Sequence, residues 1–292
     1  MYQTIKEMID QATREKKLLS ELVIEQEIKL SGSSRQEIWQ KMERNLETMK
    51  EAVVKGQKGV KSKTGLTGGD AAKLKEYAQK HEPLSGRTIL EAAQNAIATN
   101  EVNAAMGIIC ATPTAGSSGT LPGILFTLEK KLNLNHEQMV RFLFTAGGIG
   151  LVIANNACIA GASGGCQAEV GSASAMGAAA AVEAAGGSPE QSGQAAAIAI
   201  SNLLGLVCDP IAGLVEVPCV NRNALGSSNA LLCADLALAG VTSIIPVDEV
   251  IMAMDEVGIS LPQSLRETGI GGLAGTPTGQ NLKMKIFGED DD

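Results

Sequence analysis

Residues 164–223 constrain this chain most. The stretch opens GGCQAEVG, runs through a long Ala- and Gly-rich segment, and closes CDPIAGLVEVPCVNRN. Small side chains let helices approach closely, so such a segment reads as tightly packed buried helices. Three cysteines interrupt it. Cys166 follows Gly164-Gly165, Cys208 precedes Asp209-Pro210, and Cys219 follows Pro218. A cysteine used as a small hydrophobe lies within an apolar helix face. These three sit instead at breaks in the backbone, where the chain can turn three thiolates toward one point, as an iron–sulfur cluster requires. Three incidental thiols are the alternative, and one cysteine alone would decide nothing. The three together, each beside turn-forming or polar residues, favour a cluster.

The bulk properties narrow the partners. With 292 residues the chain can bury a core as one large domain or two smaller ones. A net charge of −8 argues against nucleic acid, and an aromatic content of 2% removes the stacking platforms of single-strand binders. Six cysteines in a chain this long do not make a disulfide scaffold. The N-terminus, MYQTIKEMIDQATREKK, is charged from its first turn and lacks the apolar core of a leader. These features predict a reducing, cytoplasmic setting. The apolar run at 142–154 stops at Asn155-Asn156, short of the roughly 20 residues a membrane span needs, and the run at 175–185 carries Glu183. No membrane association is expected.

Along the chain the signals are helical. Residues 1–60 read as an N-terminal helical segment packing on a main domain, with Ser34 and Glu37 as a capping box before Ile38, Trp39, Met42, Leu46 and Met49. A basic glycine-rich loop follows at 56–69. Asp70 is expected to cap the next helix, whose entry would leave N–H groups free for an anion beside Lys61 and Lys63. Helices are predicted over 87–107, 137–154, 170–185, 189–207, 223–238 and 247–257. The start at Ser188-Pro189-Glu190 combines a cap, a first-position proline and an early acid. Between apolar segments lies CATPTAGSSGTLPG, residues 110–123, in which hydroxyls, glycines and prolines alternate. It has no Walker or dinucleotide pattern, and its glycines and hydroxyls suit a small-anion cradle. Strand signals are few. The expected fold is mostly α: one large helical domain over 61–275, its Gly/Ala-rich helices packed close and its loops functional. Past Leu261 the pattern reads as an extended tail that can fold back, with 276–292 partly disordered and the acidic end frayed.

Four segments taken together, TGLTGGDAAKL, NEVNAAMGIICATPTAGSSGTLPG, GGCQAEVG and CDPIAGLVEVPCVNRNA, resemble the α chain of the two-subunit, iron–sulfur-dependent L-serine dehydratases. The matching segments run from about residue 61 to 224. The resemblance implies a mainly helical catalytic domain, a separate β subunit, and a [4Fe–4S] cluster on Cys166, Cys208 and Cys219. It implies conversion of L-serine to pyruvate and ammonia without pyridoxal phosphate. Some single-chain relatives end in a cysteine that can occupy the fourth iron, but here no cysteine follows Cys233 and the sequence ends GEDDD. A tail thiolate is therefore not expected to close this site.

Within that frame, Thr112, Thr114, Ala115, Gly116, Ser117, Ser118 and Gly119 are expected to cradle the substrate carboxylate, with Asn103, Asn221 and Arg222 supporting the site. Arg222 could offset cluster or substrate charge, or form a surface salt bridge. The general base is not legible. Lys61, Lys63 and His136 are weak candidates, His81 is expected at a helix end, and the partner chain is the remaining source. Cys110, Cys158 and Cys233 read as packing residues, although Cys158 is near enough to Cys166 in sequence to be an alternative ligand. Competing functions are a cluster-dependent lyase for L-cysteine or L-threonine, and a non-catalytic metal-binding subunit. A pyridoxal phosphate enzyme would rest on Lys63 alone. Assembly beyond an α–β pair, into a higher oligomer, stays open.

Overall fold

Four helix starts are written into the sequence as reciprocal capping boxes: Thr4 with Glu7, Ser34 with Glu37, Asn135 with Gln138, and Ser188 with Gln191. In each, the cap side chain accepts an N–H from the third helical residue, whose own side chain reaches back to the cap. The computed structural model describes residues 2–288. In chain order it forms α1 (Ile5–Glu15), α2 (Leu19–Ser31), α3 (Arg35–Gly56), α4 (Asp70–Lys80), α5 (Gly86–Ala104), α6 (Thr120–Leu132), α7 (His136–Asn156), α8 (Gly161–Gly164), α9 (Ser172–Ala184), α10 (Pro189–Ser201), α11 (Cys219–Leu238), α12 (Val247–Ser260) and α13 (Pro277–Phe287). The described residues contain no strand, only two isolated bridges. The fold is mostly α, as the sequence predicts.

The centre is α9. Every residue from Ser172 to Val182 is buried, because α6, α7, α10 and α11 surround it. A helix with small apolar residues on all faces has no surface side, so it can only be a core helix. Glycine sets the spacing nearby: a Cβ on Gly123 of α6 would stand 2.7 Å from the Ala92 carbonyl oxygen of α5. The N-terminal helices wrap this centre, with α1 against α10 and α12, α2 against α7, and α3 against α5 and α7. Among the described residues α7 alone has the length and apolar composition to cross a membrane, and 67% of its apolar window is buried against other helices.

Two expectations change. Helix α10 stops at Ser201 rather than continuing to 207, because Gly205 turns the chain with a φ of 83° and gives its N–H to Gln167 Oε1 at 2.9 Å. Past Leu261 the chain is not a plain extended tail. Thr276 caps α13 through the Gly279 N–H and Pro277 fills its first position, the same start signal as Ser188-Pro189. The intervening segment folds back: Cys208 donates its N–H to the Leu265 carbonyl at 2.9 Å, its own carbonyl accepts from Glu267 N–H at 2.7 Å, and Leu273 N–H reaches Asp209 Oδ2 at 2.8 Å. The acidic end, residues 289–292, lies outside the described residues.

Candidate active site

Cys166, Cys208 and Cys219 reach one buried place from three different kinds of local structure. Cys166 follows a positive-φ glycine, Gly165, and leads into a single π-helical turn, Gln167–Gly171. Cys208 lies in the loop pinned by residues 265–273, and Cys219 is the first residue of α11. Burial pushes the Cys166 thiol up to about 12, and burial and then the charge of Cys166 push up Cys208 and Cys219. The three are close enough to oppose one another's ionisation. One cation stands among them. Arg222 hydrogen-bonds Cys166, pairs with Asp209 Oδ1 at 2.8 Å, and donates to the Val207 carbonyl at 2.7 Å. Burial works against its charge, but Cys166 and Asp209 outweigh it and hold its pKa up. The N-terminus of α11 adds a favourable dipole for a thiolate at Cys219.

This donor set fits an iron–sulfur cluster. Buried thiols that resist ionisation together need strong positive charge to become thiolates, and metal coordination supplies it. Among the described residues no three His, Cys, Asp or Glu side chains converge as ligands of a single ion. A cluster places each thiolate on its own iron and does not need such convergence. Cys158 has other partners: its sulfur accepts the Ala160 N–H at 3.4 Å and its N–H binds Asp255. Cys233 packs in the core beside Asn202, and Cys110 is half-buried against Asn45.

The hydroxyl-rich loop closes over this place, and α11 ties the two together. Asn223 accepts from Gly119 N–H at 2.9 Å and Thr120 Oγ1 at 3.2 Å, and donates to the carbonyls of Gly116 at 2.7 Å and Cys219 at 2.9 Å. Asn100 donates to Gly116 O and Ser118 Oγ, both at 3.3 Å, and Asn103 reaches the Ala115 carbonyl at 3.4 Å. Ser117 turns inward, donating to the Thr112 carbonyl at 3.0 Å, so its hydroxyl shapes the loop rather than standing free. Thr112 Oγ1 is buried with no hydrogen-bond partner among the described residues. The back of the loop, Thr112 and Pro113, lines a separate cleft of about 400 Å³ with Met42, Met49 and Met176.

The sequence pattern missed Glu169. The π-helical turn carries it under the loop, where its Oε1 accepts from Thr114 Oγ1 at 2.7 Å. It is 7% exposed, and burial raises its pKa. Two bare glycines flank it: a Cβ on Gly116 would lie 2.9 Å from Oε2, and one on Gly161 would lie 2.8 Å from Oε2 and 2.9 Å from Cys208 Sγ.

Other expected residues stand elsewhere. His136 pairs with Glu43 at 3.0 Å, and His81 stacks on Tyr77 at 4.9 Å, both exposed. Asn221 is exposed, and its neighbour Asn223 makes the buried contacts. Lys61 and Lys63 are exposed on their loop, although Thr64 anchors that loop by donating to buried Glu216 at 2.7 Å. Asp70 is not the cap of α4: it is the first helical residue, and its N–H is taken by buried Glu101 at 2.7 Å. The anion expected at that helix start is therefore an internal carboxylate.

These features define an all-helical protein with a buried three-thiol, arginine-paired site beneath a polar loop. The chain belongs to the serine dehydratase alpha chain family, whose pattern matches residues 14–274. It is 60% identical over 288 residues to the probable L-serine dehydratase alpha chain of Bacillus subtilis (strain 168), covering 99% of this chain and 96% of that one. It is 71% identical over 202 residues to the probable L-serine dehydratase alpha chain of Latilactobacillus sakei, covering 69% and 97%. It is 47% identical over 293 residues to the L-serine dehydratase alpha chain of Peptoniphilus asaccharolyticus, covering both chains in full.

Proposed function

We propose that this chain is the catalytic α subunit of an iron–sulfur-dependent L-serine dehydratase that works with a separate β subunit in the cytoplasm. The observation that carries the proposal is the gathering of Cys166, Cys208 and Cys219 around Arg222, next to a loop suited to a carboxylate. Cys166, Cys208 and Cys219 would hold a [4Fe–4S] cluster, which would supply Lewis-acid chemistry for the substrate hydroxyl. Residues 112–119 bind the carboxylate, with Asn100 and Asn223 holding their backbone in place. Arg222 offsets the negative charge of the thiolates. Loss of the β-hydroxyl and the α-proton as water gives an enamine, which tautomerises and hydrolyses to pyruvate and ammonia. No pyridoxal phosphate is required.

The α-proton base is assigned to the partner chain. Both histidines are engaged elsewhere, and the two loop lysines face solvent. The test is pyruvate release by anaerobically purified protein, with and without its partner, from L-serine, L-threonine and L-cysteine. Turnover of L-serine above the other two, and only with the partner, is expected. Preferential sulfide release from L-cysteine contradicts the substrate assignment, and full turnover by the isolated chain contradicts the assignment of the base.

A further inference from the structure

The proposed mechanism fixes the substrate carboxylate and hydroxyl and leaves the α-ammonium without a partner. Glu169 is the matching group. Its carboxylate is enclosed by protein, yet no lysine, arginine or histidine pairs with it among the described residues. Among the described residues only Thr114 Oγ1, at 2.7 Å, and the Gly161 N–H donate to it. A buried carboxylate without a cation is costly, and it gains most from a cation that arrives with the ligand. The space beside Oε2 is kept by Gly116 and Gly161, where any side chain would reach within 3 Å of that oxygen. Gly116 belongs to the carboxylate loop, and the Gly161 position also borders Cys208 Sγ. Glu169 thus stands between the loop and the thiols.

We infer that Glu169 binds the α-ammonium of the substrate, completing a three-point grip with the loop on the carboxylate and the cluster side on the hydroxyl. This rests on the proposed reaction. It makes Glu169 a determinant of specificity for α-amino acids: a 2-hydroxy acid of the same shape would lack the group that Glu169 receives. Thr114 orients the carboxylate through Oε1 and leaves Oε2 facing the glycines.

The experiment compares the cluster-loaded complex with its Glu169→Gln, Glu169→Asp and Thr114→Val variants. It measures kcat and KM for L-serine, inhibition by L-glycerate, which carries a hydroxyl in place of the ammonium, and iron and sulfide content. Glu169→Gln is expected to raise KM for L-serine roughly 10- to 150-fold, the cost of losing a charge-assisted hydrogen bond. Inhibition by L-glycerate should stay within about 3-fold or strengthen, and iron and sulfide content should not change. Glu169→Asp should fall between the parent and Glu169→Gln, and Thr114→Val, which also alters the carboxylate loop, should weaken both L-serine and L-glycerate. Collapse of kcat with KM unchanged would make Glu169 the base and overturn the inference. Equal weakening of L-serine and L-glycerate, in Glu169→Gln or, if that variant does not fold, in Glu169→Asp, would reduce it to a structural role. If the parent complex makes no pyruvate from L-serine, the reaction assignment itself fails, which separates the two outcomes.

Discussion

Asp248, Glu183 and Glu101 differ from Glu169 in what they meet. Asp248 accepts the N–H groups of Ile5 and Lys6 at the start of α1, at 2.8 and 3.0 Å. Glu183 accepts the Leu19 N–H at the start of α2 at 2.6 Å, together with Thr145 Oγ1. Glu101 takes the Asp70 N–H at the start of α4. Each supplies from a distant part of the chain the anion that a helix N-terminus favours. Glu169 takes a single N–H of this kind, from Gly161 at the start of the four-residue α8, and meets no cation among the described residues. The other three are tied to the ends of helices of eleven or more residues and belong to the scaffold, whereas Glu169, on one turn of helix and beside bare glycines and a thiol, is available to a ligand.

The largest effect that would sharpen this contrast lies in the thiols. Replacing Cys208 or Cys219 by serine should remove the cluster and cut turnover by more than about 1000-fold, because a weak hydroxyl ligand replaces a thiolate. Replacing Cys233 or Cys158 should leave iron content unchanged. Iron analysis and the pyruvate assay check both arms, and equal iron loss in all four variants would break the separation of ligand from packing cysteines.

Next in size is the scaffold. Glu183→Ala leaves the Leu19 N–H and the Thr145 hydroxyl without their acceptor and should lower stability by about 2–4 kcal/mol, read by denaturant unfolding. KM for L-serine should not move. Asn223→Ala joins the two regions, since its amide holds both the loop and the Cys219 turn. It should raise KM roughly 5- to 150-fold while also destabilising by about 1–3 kcal/mol. An Asn223→Ala enzyme with parental KM would show that the loop keeps its shape unaided.

The smallest effect concerns the surface. Arg35, helped by Arg141, holds the Glu21 carboxyl at about 2, below its ordinary 4.5. A depressed carboxyl contributes stability above its unfolded value and loses it as pH falls through the folded one. Between pH 4.5 and 2 the parent should therefore lose stability more steeply than Glu21→Gln. Urea midpoints across that range measure it, and parallel curves would remove the ion pair from the account.

Much of the scaffold was legible because its signals are local. The Ser34 and Ser188 starts, and the alanine-rich core helix, follow from capping and from side-chain size. The start of α13 was equally local, at Thr276-Pro277, yet glycines on its N-terminal side made the region read as a tail. The site was legible as a set of loops and less so as individual atoms. Asn221 and Asn223 are indistinguishable in a linear motif, and only the helical phase of α11 turns Asn223 inward. Glu169 was hidden for a related reason. A π-helical turn has no composition signature, and the missing cation that gives the residue its meaning is a property of its surroundings. Asp70 failed as a cap because Glu101, remote in sequence, competes for the same helix start.

The most direct test is the amount of iron and acid-labile sulfide in anaerobically purified protein. The account predicts about four of each per chain, bound through Cys166, Cys208 and Cys219 and lost when any of them is replaced. One equivalent of zinc without sulfide, in protein that remains folded and paired with its partner, would contradict it.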